Sequence, residues 1–154
     1  MAVIKWFVDT ALKTCLNTAT EGTALASLAD AGYAISNSTG DIDNRTNLDL
    51  FGDFEMSFIA AASLSAGARA VDLYLLPSVD NTNFPDGATV DPQLSLYLGV
   101  FTVAVTGTTH RLVIPGIPLP PQKCRMLIKN ISGQAFTAAT THTLKCRAYQ
   151  YQAV

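Results

Sequence analysis

From Leu48 onward the even positions carry Leu48, Leu50, Gly52, Phe54, Met56 and Phe58, while Asn47, Asp49, Asp53, Glu55 and Ser57 fall on odd ones. A period of two fits a long strand with one apolar and one wet face. The following SLSAGA carries Gly67 for a turn, and Val71, Leu73 and Leu75 then stand opposed to Asp72 and Tyr74. Pro77 lacks a ladder donor and ends that run. The spacing predicts two antiparallel neighbours against which the other strands pack.

The rest of the chain reads as further strands. Val3 to Val8 places Ile4, Trp6 and Val8 on one face. Between Thr10 and Asp30 the threonines favour a strand or extended arm, whereas ALASLADAG before Tyr33 has the composition of a short helix closed by Gly32. Residues 36–47 are turn formers, and the segment after Pro77, SVDNTNFPDGATVDPQ, is a long loop of a kind often used in contacts. Leu94 to Val105 is apolar on both faces, and His110 to Ile114 is a short strand. PGIPLPP, from Pro115 to Pro121, is expected to be a stiff crossover outside any central strand. Lys123 to Ile131 turns Arg125 and Lys129 outward. In Thr141 to Tyr151, Leu144, Cys146 and Ala148 face inward, and Lys145, Arg147, Tyr149 and Tyr151 face outward. About eight strands with long crossovers predict an all-β, antiparallel, jelly-roll-like sandwich. Residues 37–154 form its single domain, and residues 1–36 are an extended N-terminal arm or accessory strands.

Only 14% of residues are charged, against about 25% in ordinary soluble domains, which suits a surface partly covered by copies or partners. Residues 1–91 hold all twelve acids and four bases, net −8, and the remainder holds six bases and no acid, net +6. Such halves can meet within one fold or between copies. Cys15, Cys124 and Cys146 show no metal spacing and read as buried free thiols. No cleavable leader is visible in the first residues and no apolar run spans a membrane, so the chain reads as made in a reducing cytoplasm. The sequons at Asn37, Asn44 and Asn130 then read as chance matches.

Chemistry-bearing patterns are weak. DIDN at Asp41 opens like a calcium loop, but Arg45, Thr46 and Gly52 occupy the fifth, sixth and twelfth positions. A looser calcium site would use Asp41, Asp43 and Asp49, or Asp80 and Asp86. His110 and His142 sit at strand starts, where a surface or edge imidazole is ordinary. Asp49, Asp53 and Glu55 share one wet strand face, without a spacing peculiar to glycoside cleavage. Lys123, Arg125, Lys129, Lys145 and Arg147 with Tyr149 and Tyr151 resemble a basic aromatic sheet face, which the acidic half opposes as a nucleic-acid footprint. Tyr33, Phe84 or Tyr97 could form a glycan platform. Catalytic residues, cofactors and metals are therefore not expected.

VDLYLLPSVDNTNFPDG, YLGVF, HRLVIPGIPLPPQKCRMLIKNISGQAF and TLKCRAY together resemble small virion proteins of tailed bacteriophages. The similarity covers about residues 47–150. It implies a capsid decoration or cement protein without catalytic residues, a jelly-roll homotrimer that binds and stabilises the major capsid protein shell on its outer surface, with no nucleic-acid or membrane partner. Residues 1–36 and the 78–92 loop would make the contacts, with Ile4, Trp6, Phe7, Phe84, Pro85, Tyr97, Phe101, Tyr149 and Tyr151 as interface residues. A tail, neck or baseplate sandwich and a carbohydrate-binding module are the alternatives.

Overall fold

The computed structural model describes residues 4–8, 12–17, 25–85 and 96–153. Ten strands occupy these residues: β1 (Ile4–Val8), β2 (Lys13–Asn17), β3 (Tyr33–Ile35), β4 (Ile42–Asp43), β5 (Phe51–Leu64), β6 (Arg69–Pro77), β7 (Tyr97–Thr102), β8 (Gly107–Pro118), β9 (Lys123–Asn130) and β10 (Thr143–Ala153). All pairings are antiparallel. In the first sheet β5 lies between β8 and β10, while β1 and β2 follow one another along the far edge of β10. In the second sheet β6 lies between β7 and β9, and β3 and β4 share the far edge of β9. Taking β3 and β4 as one interrupted strand, the two layers read β2-β10-β5-β8 and β3/β4-β9-β6-β7. That strand order is a jelly roll, with β1 added beyond it.

The period-two pattern survives into the packing. Gly52, Phe54, Met56, Phe58 and Ala60 are buried, and the residues between them are partly exposed. They meet Val71, Leu73, Leu75, Met126 and Ile128 from the second sheet and Leu144 and Cys146 from β10 in one core. Phe58 stacks on Phe136 with ring centroids 4.7 Å apart, and the His110 ring lies 5.2 Å away on the Phe58 side.

Several sequence expectations are corrected. β5 and β6 are not neighbours: the turn around Gly67 carries the chain from one sheet to the other. Alternation specifies which face is buried but not which strand lies alongside, because partner choice depends on the other strands. Leu48 and Leu50, expected inside, are exposed, because β5 begins only at Phe51. Asp72 and Tyr74, on the outward side of β6, are buried, since Tyr74, Leu76 and Leu127 form a small second core beneath Tyr33, Ile35, Leu96 and Tyr97. Asp72 is accommodated there by Arg69 at 3.1 Å and by the Tyr97 hydroxyl, which donates to it at 3.3 Å. No helix forms over the described part of ALASLADAG. Ser27 and Ala31 have φ of 56° and 60°, incompatible with a right-handed helix, and Leu25 and Leu28 anchor the segment in the core.

The proline-rich stretch is also corrected, because β8 runs through Pro115 to Pro118. It is an edge strand, so a missing donor can face away from β5. At Asp53 a bulge sets Pro115 and Gly116 against one residue of β5, and Gly116 takes φ +70°, which only glycine adopts without strain. Only the residues after Pro118 cross to the second sheet.

Phe58 is 1% exposed and stacks on the buried ring of Phe136 in the core. Replacing it with alanine should cost about 3–5 kcal/mol, as large core truncations do. Chemical denaturation of Phe58→Ala beside the wild type measures it, and a loss below about 1 kcal/mol would mean that the core closes around the gap.

Candidate functional site

The outward face of the first sheet collects side chains from four strands. Register sets Trp6 opposite Tyr151, Tyr149 opposite Phe51, Arg147 opposite Asp53 and Lys145 opposite Glu55. On the other side of β5, Phe51 meets Pro118 and Glu55 meets Val113. Directly opposed residues share a face, so aromatic rings gather at one end and charges towards the other. The Trp6 ring lies 3.9 Å from Tyr151, 5.2 Å from Tyr149 and 6.3 Å from Phe51, centroid to centroid, and Phe51 stacks on Tyr149 at 5.8 Å. Trp6 is 56% and Tyr151 46% exposed despite these contacts.

Asp53 is fixed at the boundary between rings and charges. Its Oδ1 accepts the Gly116 N–H at 2.8 Å and the Tyr149 hydroxyl at 3.1 Å. Glu55 pairs with Arg111 at 2.7 Å. Arg147 and Lys145 have no ion-pair partner among the described residues, although each stands opposite a carboxylate. Leu12, Val113 and these five charged residues line a shallow groove that continues from the aromatic end.

The other predicted interface residues lie elsewhere. The side chain of Ile4 is outside the described residues, as are loop residues 86–95. Phe7 points to the opposite side of β1 from Trp6 and is 48% exposed. Phe84 lies 4.0 Å from the Arg125 guanidinium and 5.9 Å from Lys123 Nζ, on the outside of the second sheet, with Pro85 exposed beside it. Tyr97 packs on Tyr74 at 5.4 Å. Phe101 is 1% exposed and belongs to the core, which corrects its reading as an interface residue. Phe51 completes the aromatic cluster unforeseen, although its odd register among Asp49, Asp53 and Glu55 places it on the outward face.

The basic aromatic face that the residues of β9 and β10 resemble, disfavoured already by the acidic half, does not form, because the two strands belong to different sheets. Lys123 and Arg125 instead converge on Asp41, whose side chain is fully buried, at 3.3 and 3.0 Å. Ser36 donates to the same carboxylate at 3.1 Å. The acidic and basic halves of the chain thus meet within the fold, and the Asp41 oxygens are engaged by cations. Asp80 accepts the N–H groups of Thr82 and Asn83 and the Ser78 hydroxyl, which hold its carboxyl far below the usual range and close the loop after β6. Asp86 is outside the described residues, and no group of three or more His, Cys, Asp or Glu among the described residues could hold a metal. Asp49 is buried ahead of β5 and does not share the wet face with Asp53 and Glu55.

Both histidines are buried, which corrects the expected surface imidazoles. His142 Nδ1 accepts the Ile59 N–H at 3.2 Å, so Nε2 carries the proton and donates to the Thr137 carbonyl at 2.9 Å. Of the sequon residues, Asn44 and Asn130 are buried. Asn44 donates to the Asp49 and Pro120 carbonyls, and Asn130 to those of Leu28, Ala29 and Gln134.

The three cysteines are buried free thiols. Burial pushes Cys15 and Cys124 up from the ordinary 9.0 to about 12, and Cys146 also upward. No protein-family model and no curated protein matches the chain.

Two measurements follow from these groups. Above pH 9 the unfolded chain releases its thiol protons while the folded chain keeps them, so stability should fall as pH rises from about 9 towards 12. Melting curves between pH 8 and 11 should slope downward, and replacing the cysteines with alanine should flatten that slope; an unchanged slope would locate the titrating groups elsewhere. Asp41→Ala strands two cations, each about three-quarters buried. It should cost about 2–3 kcal/mol, less than the about 3–5 of a fully enclosed pair. Urea unfolding tests this, and a near-neutral result would show that water replaces the carboxylate.

Proposed function

We propose that this chain is a non-enzymatic structural protein of a bacteriophage virion, a decoration protein that binds the outer surface of the assembled capsid shell and cements it. The sequence blocks resembling tailed-phage virion proteins support the assignment to a virion. The main structural support is the apolar surface left unfinished around β1. Phe7 occupies the inward register opposite Gln150, the side on which Leu144 and Cys146 enter the core, yet it is half exposed. β1 therefore extends past the sandwich, with the Phe7 side of it uncovered. Surfaces of this kind suit closure by a neighbouring subunit or a shell protein.

Leu48 adds to this surface. It is 51% exposed and holds φ +53°, a strained conformation for a bulky side chain. An exposed leucine retained at a strained position suits a contact better than folding. Leu50, 47% exposed, donates its N–H to the Tyr149 carbonyl, on the side of β10 opposite β1.

In solution the protein is expected as a homotrimer of about 49 kDa from 16.4 kDa chains, present in particles in hundreds of copies. Light scattering on a sizing column and quantitative analysis of purified particles read both quantities. A few to tens of copies would move the protein to the tail, neck or baseplate, and absence from particles would end the reading. Deleting residues 1–9 should leave a folded sandwich that no longer decorates particles, and wild-type occupancy by the truncated protein would refute the role of β1. Leu48→Gly should relieve strain and raise stability by up to about 1 kcal/mol while lowering shell occupancy; unchanged occupancy would exclude Leu48 from the contact.

A further inference from the structure

We propose that the aromatic end of the first sheet's outward face is a glycan-binding site, taking a neutral pyranoside that offers two adjacent free hydroxyls. A pyranose presents a face of C–H bonds, which packs on indole and phenol rings, and a girdle of hydroxyls that each donate and accept. Trp6 and Tyr151 are both about half exposed, so ring surface is available for the apolar face. They contact each other, Trp6 also meets Tyr149 and Tyr151 also meets Phe51, so the rings are held together before any ligand arrives and little rotamer entropy is lost on binding.

Asp53 and Arg147 supply the polar half. They stand directly opposite each other in register, next to Phe51 and Tyr149 along the same two strands. Gly116 and Tyr149 hold Asp53 through Oδ1, while Oδ2 accepts no hydrogen bond among the described residues. Arg147 is exposed and forms no ion pair with Asp53 or any other described carboxylate. A positioned acceptor beside an uncommitted donor matches the O–H and the lone pair of neighbouring sugar hydroxyls. An apolar protein surface placed here would strip water from a half-satisfied carboxylate and a free guanidinium without replacing it, which is costly. Charges of both signs along the groove, Glu55 and Asp53 with Lys145, Arg147 and Arg111, favour a neutral over an anionic glycan. The site uses neither Phe7 nor Leu48, the two side chains read above as contacts with the shell.

Trp6 is the only tryptophan, so tryptophan emission of the full-length protein, excited selectively over tyrosine, reports this site alone. Cellohexaose, laminarihexaose, maltohexaose and chitohexaose would be titrated separately. At least one should produce a saturable change in emission, which Asp53→Asn, Tyr151→Ala and the exposed Arg147→Ala each weaken at least tenfold without changing the far-ultraviolet spectrum. Arg147→Ala keeps the test decisive should either other variant misfold. No saturable change with any of the four, or binding that Arg147→Ala leaves within twofold, overturns the proposal. So does loss of an oligomer on Tyr151→Ala without any sugar response, which would make this face a contact between copies.

Discussion

Close contact between the inward faces of the two sheets is the constraint on which the rest depends. Phe54, Met56 and Phe58 of β5 enter one core with Leu73 and Leu75 of β6, Met126 and Ile128 of β9, and Leu144 and Cys146 of β10. The fit leaves little slack: a side chain at Gly52 would place its Cβ 2.9 Å from Cys146 Sγ, and one at Gly40 would lie 2.0 Å from the Cys15 carbonyl oxygen. The thiols act here as small apolar groups, and their burial holds them protonated. Because alternate residues point to opposite sides, setting the inward face also sets the outward one. The aromatic and charged face of the first sheet is therefore a by-product of register, with the bulge at Asp53 set into it.

β10 connects core, edge and surface. One side of it pairs with β5, and the other takes β2 and then β1, so the N-terminal strands are ordered by a strand more than a hundred residues later. The second sheet is protected differently. Its outside carries a small apolar cluster with Tyr74, Leu76 and Leu127, and its rim carries the Asp41 cluster with Lys123 and Arg125, beside which Phe84 lies on the guanidinium. One sheet is thus closed on both faces, and the other keeps an open face with rings at one end.

The sequence was readable wherever one local rule governed the outcome. The alternation of β5 past Gly52, the inward set Leu144, Cys146 and Ala148, and the buried thiols are all present as expected, because burial of alternate side chains depends only on strand geometry. Outward Tyr149 and Tyr151 were legible for the same reason. The errors share a different cause. Phe101 looked like a contact residue and is core, while Asp72 and Tyr74 looked wet and are covered, because burial there comes from a second layer contributed by distant residues. His142 looked exposed and instead bridges Ile59 and Thr137, a connection spanning 83 residues in one direction.

By itself the amino-acid sequence determined the strand class, the inward faces within the strands where alternation is unbroken and the turn at Gly67, since these follow from side-chain alternation and from the φ freedom of glycine. The tertiary structure alone decided which strands pair, and with that which residues share a surface. β5 and β6 were expected side by side and lie in opposite sheets, and Lys123 and Arg125 are separated from Lys145 and Arg147. Trp6, Phe51, Asp53 and Arg147, spread across 142 positions of the chain, become neighbours. Periodicity along one strand carries no information about its partners, because partner choice is settled by how the strands together bury their apolar faces.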